Sequence, residues 1–230
     1  MTYEEIIKRL KSLENPKNIE GMARFGIKPK TKVYGVPVPE LRKIAKEVIR
    51  GSGRNHNLAI KFWDSNIHEA RLLAGMVADP GKLTLAQIKK WVSGFDSWDV
   101  CDQACMNLLD KSKIAIRQIP EFARSKEEFV KRTPFALMAA LACHDKKMQD
   151  KDFIKFFSLI TKSCTDERNF VKKAVNWALR GIGKRNKNLN KEAIKLAEKI
   201  KLIDSKSAKW IATDAIRELT SENVKRRLNI

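Results

Sequence analysis

Apolar residues along this chain recur at helical spacing in almost every stretch, and no segment alternates with the two-residue period of a half-buried strand. The pattern predicts an all-α fold. A first helix is expected over residues 3–13, stopping before Asn15-Pro16. A loop rich in Gly and Pro then passes through Gly26-Ile27-Lys28-Pro29 to Val36-Pro37-Val38-Pro39, and Pro39 suits the first turn of a helix over 40–50. Further helices are expected over 56–63, 67–78, 85–95, 98–109, 126–143, 151–162, 168–184, 191–203 and 205–219, with a last short one beginning near Ser221. Pro134 falls inside the 126–143 segment, which predicts a kink or a later start there.

The helices recur in pairs. Alternate ones begin near Ile67, Trp98, Phe129, Phe170 and Ala208, roughly 30 to 41 residues apart, a period close to that of helical solenoids. Their sequences rhyme only loosely, so a single irregular bundle stays open beside a repeat array. In an array the inner helices line a concave face, where a long ligand would lie. No break in composition divides the chain, which reads as one domain over residues 1–230.

Charge narrows the class of partner. The chain holds 47 Lys and Arg against 27 Asp and Glu, a formal +20, and the cations are spread over nearly every segment. That distribution favours a basic surface facing phosphate over a basic tail; a lysine-rich solubilising surface is the plainer alternative. No apolar run is long enough to span a membrane, and the start Met1-Thr2-Tyr3-Glu4-Glu5 lacks the basic, then apolar, character of a signal peptide. A cytoplasmic location is expected. The four cysteines, Cys101, Cys105, Cys143 and Cys164, show no C-x-x-C spacing and read as small buried hydrophobes. The three histidines are isolated from one another in sequence, so no metal and no cofactor are expected.

Two segments concentrate candidate chemistry. In Gly94-Phe-Asp-Ser-Trp-Asp-Val-Cys-Asp102, Trp98 and Asp102 share one helical face while Asp99 points aside. Asp99 has an ordinary explanation in the first turn of a helix. Asp102 beside an indole is either paired with a base or facing a cleft, since an unpaired buried carboxylate is costly. In the second segment, Phe170, Val171, Ala174, Val175 and Ala178 form an apolar stripe that Trp177 extends, with Lys173 and Arg180 one turn to either side. Trp177 fits core packing and a stacking surface on a groove equally well. Gly181-Ile-Gly-Lys184 is not a phosphate-binding P-loop. It also resembles the turn of helix-hairpin-helix DNA binders, but glycine near a helix end is the simpler account.

At these residues the chain resembles the AlkD-type DNA alkylation repair family, alkylpurine DNA glycosylases built from HEAT-like repeats. The likeness runs through Asn15-Pro16, Met22-Ala-Arg-Phe25, Tyr34-Gly-Val-Pro-Val-Pro-Glu-Leu-Arg42, Ser97-Trp-Asp99, Phe129-Val-Lys-Arg132 and the helix from Phe170 to Asn186. It implies a right-handed superhelical array of antiparallel helix pairs with a concave basic face. It further implies that Trp98 and Trp177 flank a damaged nucleotide, that Asp102 is the catalytic acid, and that Arg132 and Arg180 hold DNA near the site. Lys172, Lys173, Lys184, Arg185 and Phe25 complete the expected DNA-binding set. Three positions depart from the family pattern: Phe25 stands where a tyrosine is usual, Pro37 replaces a polar residue, and Ser97 replaces a second tryptophan.

The resemblance implies excision of cationic N3- or N7-alkylated purines from double-stranded DNA by a monomeric enzyme. An alkylated purine is already a good leaving group. A carboxylate near C1′ would stabilise the oxocarbenium-like state and orient water, and indole faces would attract the cationic nucleotide at roughly 0.5–2 kcal/mol each. Two alternatives remain: a non-catalytic binder of damaged or branched DNA on the same fold, and a helical-repeat scaffold for proteins.

Overall fold

The computed structural model describes all residues from Met1 to Ile230. It is helical throughout, with one isolated bridge between Lys32 and Ile67, and it divides into two compact units, Met1–Ala115 and Ile116–Ile230.

The first unit contains α1 (Tyr3–Ser12), α2 (Pro16–Arg24), α3 (Val38–Ser52), α4 (His56–Asp64), α5 (His68–Val77), α6 (Leu85–Ser93) and α7 (Trp98–Asn107). α5 packs between α3 and α7, and α4 backs onto α5 and α1. This is the alternation expected of stacked helix pairs. One helix departs from the sequence expectation: α2 occupies ground read as loop. Asn15 caps it, accepting the Asn18 amide at 3.2 Å, and Pro16 takes its first position, an arrangement that starts helices rather than ending them. α2 buries no residue fully, so it lies on the surface of the unit.

Between α2 and α3 the chain is tied to α5 by a buried acid. The Glu69 carboxylate accepts the amides of Tyr34 at 3.1 Å, Gly35 at 2.7 Å and Val36 at 3.3 Å. Gly35 has φ +73°, and a Cβ there would lie 2.4 Å from the Asn15 carbonyl oxygen, so only glycine fits. Glu69→Ala orphans these buried donors, and we expect a loss of about 3 kcal/mol in unfolding free energy. Urea denaturation checks this; an unchanged midpoint would show the amides finding other partners.

α8 (Lys113–Arg117) spans the boundary between units. The second unit holds α9 (Ile119–Phe122), α10 (Glu128–His144), α11 (Asp150–Ser163), α12 (Asn169–Gly183), α13 (Lys187–Lys201), α14 (Lys206–Leu219) and α15 (Glu222–Leu228). α12 lies between α10 and α14, while α11 and α13 pack together behind them. α10 runs unbroken through Pro134, where a kink or later start was expected. Every residue from Arg132 to Ala142 is buried, and that burial outweighs a proline cost of about 3 kcal/mol. α12 ends at Gly183, where a Cβ would meet Leu219 at 2.8 Å and Ala193 at 2.9 Å. The glycine is a packing requirement between α12, α13 and α14, in keeping with the helix-end reading.

Cys101, Cys105 and Cys164 are buried as expected, but Cys143 is exposed near the end of α10. No helix is long and apolar enough to cross a membrane, and no three His, Cys, Asp or Glu side chains gather as a metal set.

Candidate nucleic-acid interface

In the first unit the turn into α7 is anchored at four points. The Asp96 carboxylate accepts the Lys30 amide at 2.8 Å and lies 3.7 Å from Arg71. Arg71 spreads over the Trp63 ring at 5.0 Å and donates to the Gly94 carbonyl at 3.3 Å. Trp98, first residue of α7, donates its Nε1–H to the Phe25 carbonyl at 3.0 Å. Phe25 itself closes α2 with its ring 74% exposed. The indole is half-buried, with its N–H already bonded to the protein. Asp102 follows one turn later on α7, also half-buried.

The fourth anchor is Asp99, which turns inward and meets His68 of α5, Nε2 to Oδ2, at 2.8 Å. Burial pulls His68 towards neutrality, but the Asp99 hydrogen bond and the charges of Asp99, Glu69 and Asp96 outweigh it and raise its pKa. Burial likewise pushes Asp99 up, and the His68 bond and charge leave it lowered. The two form an ion pair beneath the first turn of α7. Asp99 stands in the first turn of α7 as expected, and there it also gains a buried partner, His68, which the sequence did not point to. A cavity of about 320 Å³ opens beside this pair, with Met22, Phe25, Val36, His68, Glu69 and Asp99 among its walls.

In the second unit α12 carries the other candidates. Its sealed stripe is Val171, Ala174, Val175, Ala178, Leu179 and Ile182; Trp177 sits beside it, half-buried. Arg180 bonds Glu218 and approaches Asp214 at 3.4 Å, while Lys184 shares Glu218. Burial raises the Glu218 pKa, but Lys184 and Arg180 together hold it below its ordinary value. Asn176 donates to Asp214 at 2.7 Å, so α14 presents two carboxylates along the edge of α12.

The remaining cations divide by environment. Arg132 is 5% exposed and donates to the Phe170 carbonyl at 2.5 Å. Arg185 straps α10 and the following turn, donating to Ala142 at 3.2 Å and Met148 at 3.1 Å, with its guanidinium 4.7 Å over Phe153. Lys172 lies over the Trp210 ring at 5.3 Å, and Lys173 is exposed. Within the first unit Phe25 and Trp98 are brought together; within the second, Arg180 and Lys184 meet on one carboxylate. That carboxylate was not among the expected site residues.

Comparison with known proteins closes on the same class. A protein of Listeria monocytogenes, described only as uncharacterised, is 27% identical over 117 residues, 50% of this chain and 51% of its own. A Listeria innocua counterpart is 25% identical over 132 residues, covering 57% of this chain and 58% of its own. The chain therefore spans about half the length of the curated relatives it matches. A solved protein from a new family related to the HEAT-like repeat DNA glycosylases, with affinity for branched DNA structures, matches with a TM-score of 0.76 at 17% identity. The match covers 94% of this chain and 95% of that one, and it shows an all-α HEAT-like fold. The model of one family, described as DNA alkylation repair enzyme, matches residues 6–219, and the chain belongs to that family.

Proposed function

We propose that the chain is a DNA glycosylase that hydrolyses the N-glycosidic bond of cationic N3- or N7-alkylated purines in double-stranded DNA. One observation carries the reading: Trp98 and Asp102 share a half-buried face of α7, with the indole N–H already committed to Phe25. What the ring has left to offer a ligand is its π face, and that face attracts cations. A carboxylate one turn away is placed to act where positive charge develops. As the C1′–N9 bond breaks, its electron pair leaves with the base, whose own positive charge is thereby neutralised. Ionised Asp102 stabilises the oxocarbenium-like sugar and orients water, whose oxygen bonds C1′ while its proton passes to the carboxylate or to solvent.

On the second unit, Trp177 offers a half-buried ring to DNA. Lys172, Lys173, Arg180 and Lys184 contact phosphate, while Arg132 and Arg185, held on protein carbonyls, position the helices that carry them. The enzyme acts as a monomer in the cytoplasm, with no cofactor. The test is incubation with duplex DNA containing 7-methylguanine, followed by detection of free base. We expect release well above spontaneous depurination.

A second reading is supported by the fold likeness to a protein with affinity for branched DNA: binding without excision. Tight binding of forked duplex with no base released would favour it and remove the glycosylase assignment.

A further inference from the structure

We propose that Trp210 on α14 is a stacking platform for an unpaired nucleotide in gapped or branched DNA. The inference rests on the chain binding DNA, but not on its excising bases. Trp63 and Trp91 are buried at 4% and 2%, whereas Trp210 is 41% exposed, and Trp98 and Trp177 are half-buried. α14 seals Ala208, Ile211, Ala212, Ala215 and Leu219 completely, so its core face is complete without the indole. An indole left partly in water on an otherwise well-packed helix offers its ring surface to a partner with an apolar face of its own.

The surroundings say what kind of partner. Lys172 of α12 stands 5.3 Å from the ring centroid, and exposed Lys206 and Lys209 flank the indole along α14. Three acids lie nearby, of which Glu167 is committed to the Ser207 amide at 3.1 Å. Asp204 is 101% exposed and paired with Lys209 at 2.8 Å, which leaves it screened by water. Asp214 is held by Asn176, Arg180 and Arg217. Lys172 and Lys206 leave cationic charge beside the ring, complementary to the phosphate of a stacked nucleotide.

The platform is also held in place. Ser207 donates its amide to Glu167 at 3.1 Å and its hydroxyl to the Asp166 carbonyl at 2.8 Å, fixing the start of α14 against the segment entering α12. A base within intact duplex has both faces covered by its neighbours. Only a nucleotide released from pairing can lay a face on Trp210, so the platform discriminates gapped or forked DNA from continuous duplex.

The experiment is equilibrium binding of the full chain to a fluorescent duplex, intact or with a short single-stranded gap. The wild-type chain is expected to prefer the gapped form. Trp210→Ala should lower affinity for gapped DNA about tenfold and leave intact duplex unchanged, while Trp210→Phe retains most of the preference. Equal wild-type affinity for the two probes, or an equal loss on both in Trp210→Ala, overturns the platform. Failure of the wild-type chain to bind either probe instead overturns the DNA-binding reading itself.

Discussion

Asp102→Asn is expected to lower the rate of 7-methylguanine release by about 100- to 1,000-fold while leaving affinity for alkylated duplex unchanged or slightly improved. The substitution keeps size and hydrogen-bonding capacity and removes one negative charge. That charge does nothing useful for a polyanionic ground state. Its value appears only when the sugar becomes cationic, so its loss should fall on the catalytic step and spare binding. The split separates catalysis from folding, since a misfolded variant would lose both. Single-turnover release with enzyme in excess, alongside anisotropy on the same duplex, measures the two quantities. Release at the wild-type rate would remove the acid from the mechanism, and with it the strongest reason to prefer an enzyme over a binder.

Much of the helical framework is legible in the sequence because each inner helix carries an unbroken apolar stripe. α12 is the clearest case: Val171, Ala174, Val175, Ala178 and Ile182 are all sealed. α2 is illegible for the opposite reason, since it seals nothing and Pro16 reads equally as a stop after α1. Pro134 shows the same limit from the other side, because burial along α10 decides what local propensity cannot. The candidate site is legible as residue types and not as partnerships. Trp98, Asp102 and Trp177 announce themselves by neighbours within one turn. Arg180 and Glu218 lie 38 positions apart, and His68 and Asp99 lie 31 apart; no local pattern links them. Lys184 and Arg180 read as phosphate ligands in the sequence, which gives no sign that Asp214 and Glu218 of α14 lie alongside them.

The His68–Asp99 pair should make stability depend on pH in a way its removal abolishes. His68 has its folded pKa raised, so its contribution is complete below the unfolded value of about 6.5 and fades as pH climbs through the folded one. Asp99 has its folded pKa lowered, so its contribution is present above about 3.9 and fades as pH drops through the folded one. The two windows overlap between about pH 4 and 6.5. Within that range Asp99→Ala is expected to cost about 3–5 kcal/mol, because it strands a charged imidazole in the interior. As pH climbs through the folded His68 value the imidazole loses its charge, and the gap should shrink to the loss of one hydrogen bond, about 1 kcal/mol. Urea unfolding of both chains across pH 5 to 9 checks the shape, and a difference that stays flat would mean the pair is not ionic. Because Asp99 stands between Trp98 and Val100 in the first turn of α7, the same titration should also loosen the indole and weaken duplex binding as pH climbs through the folded His68 value. Asp102 shares that helix, so its position depends on how the same pair holds the first turn.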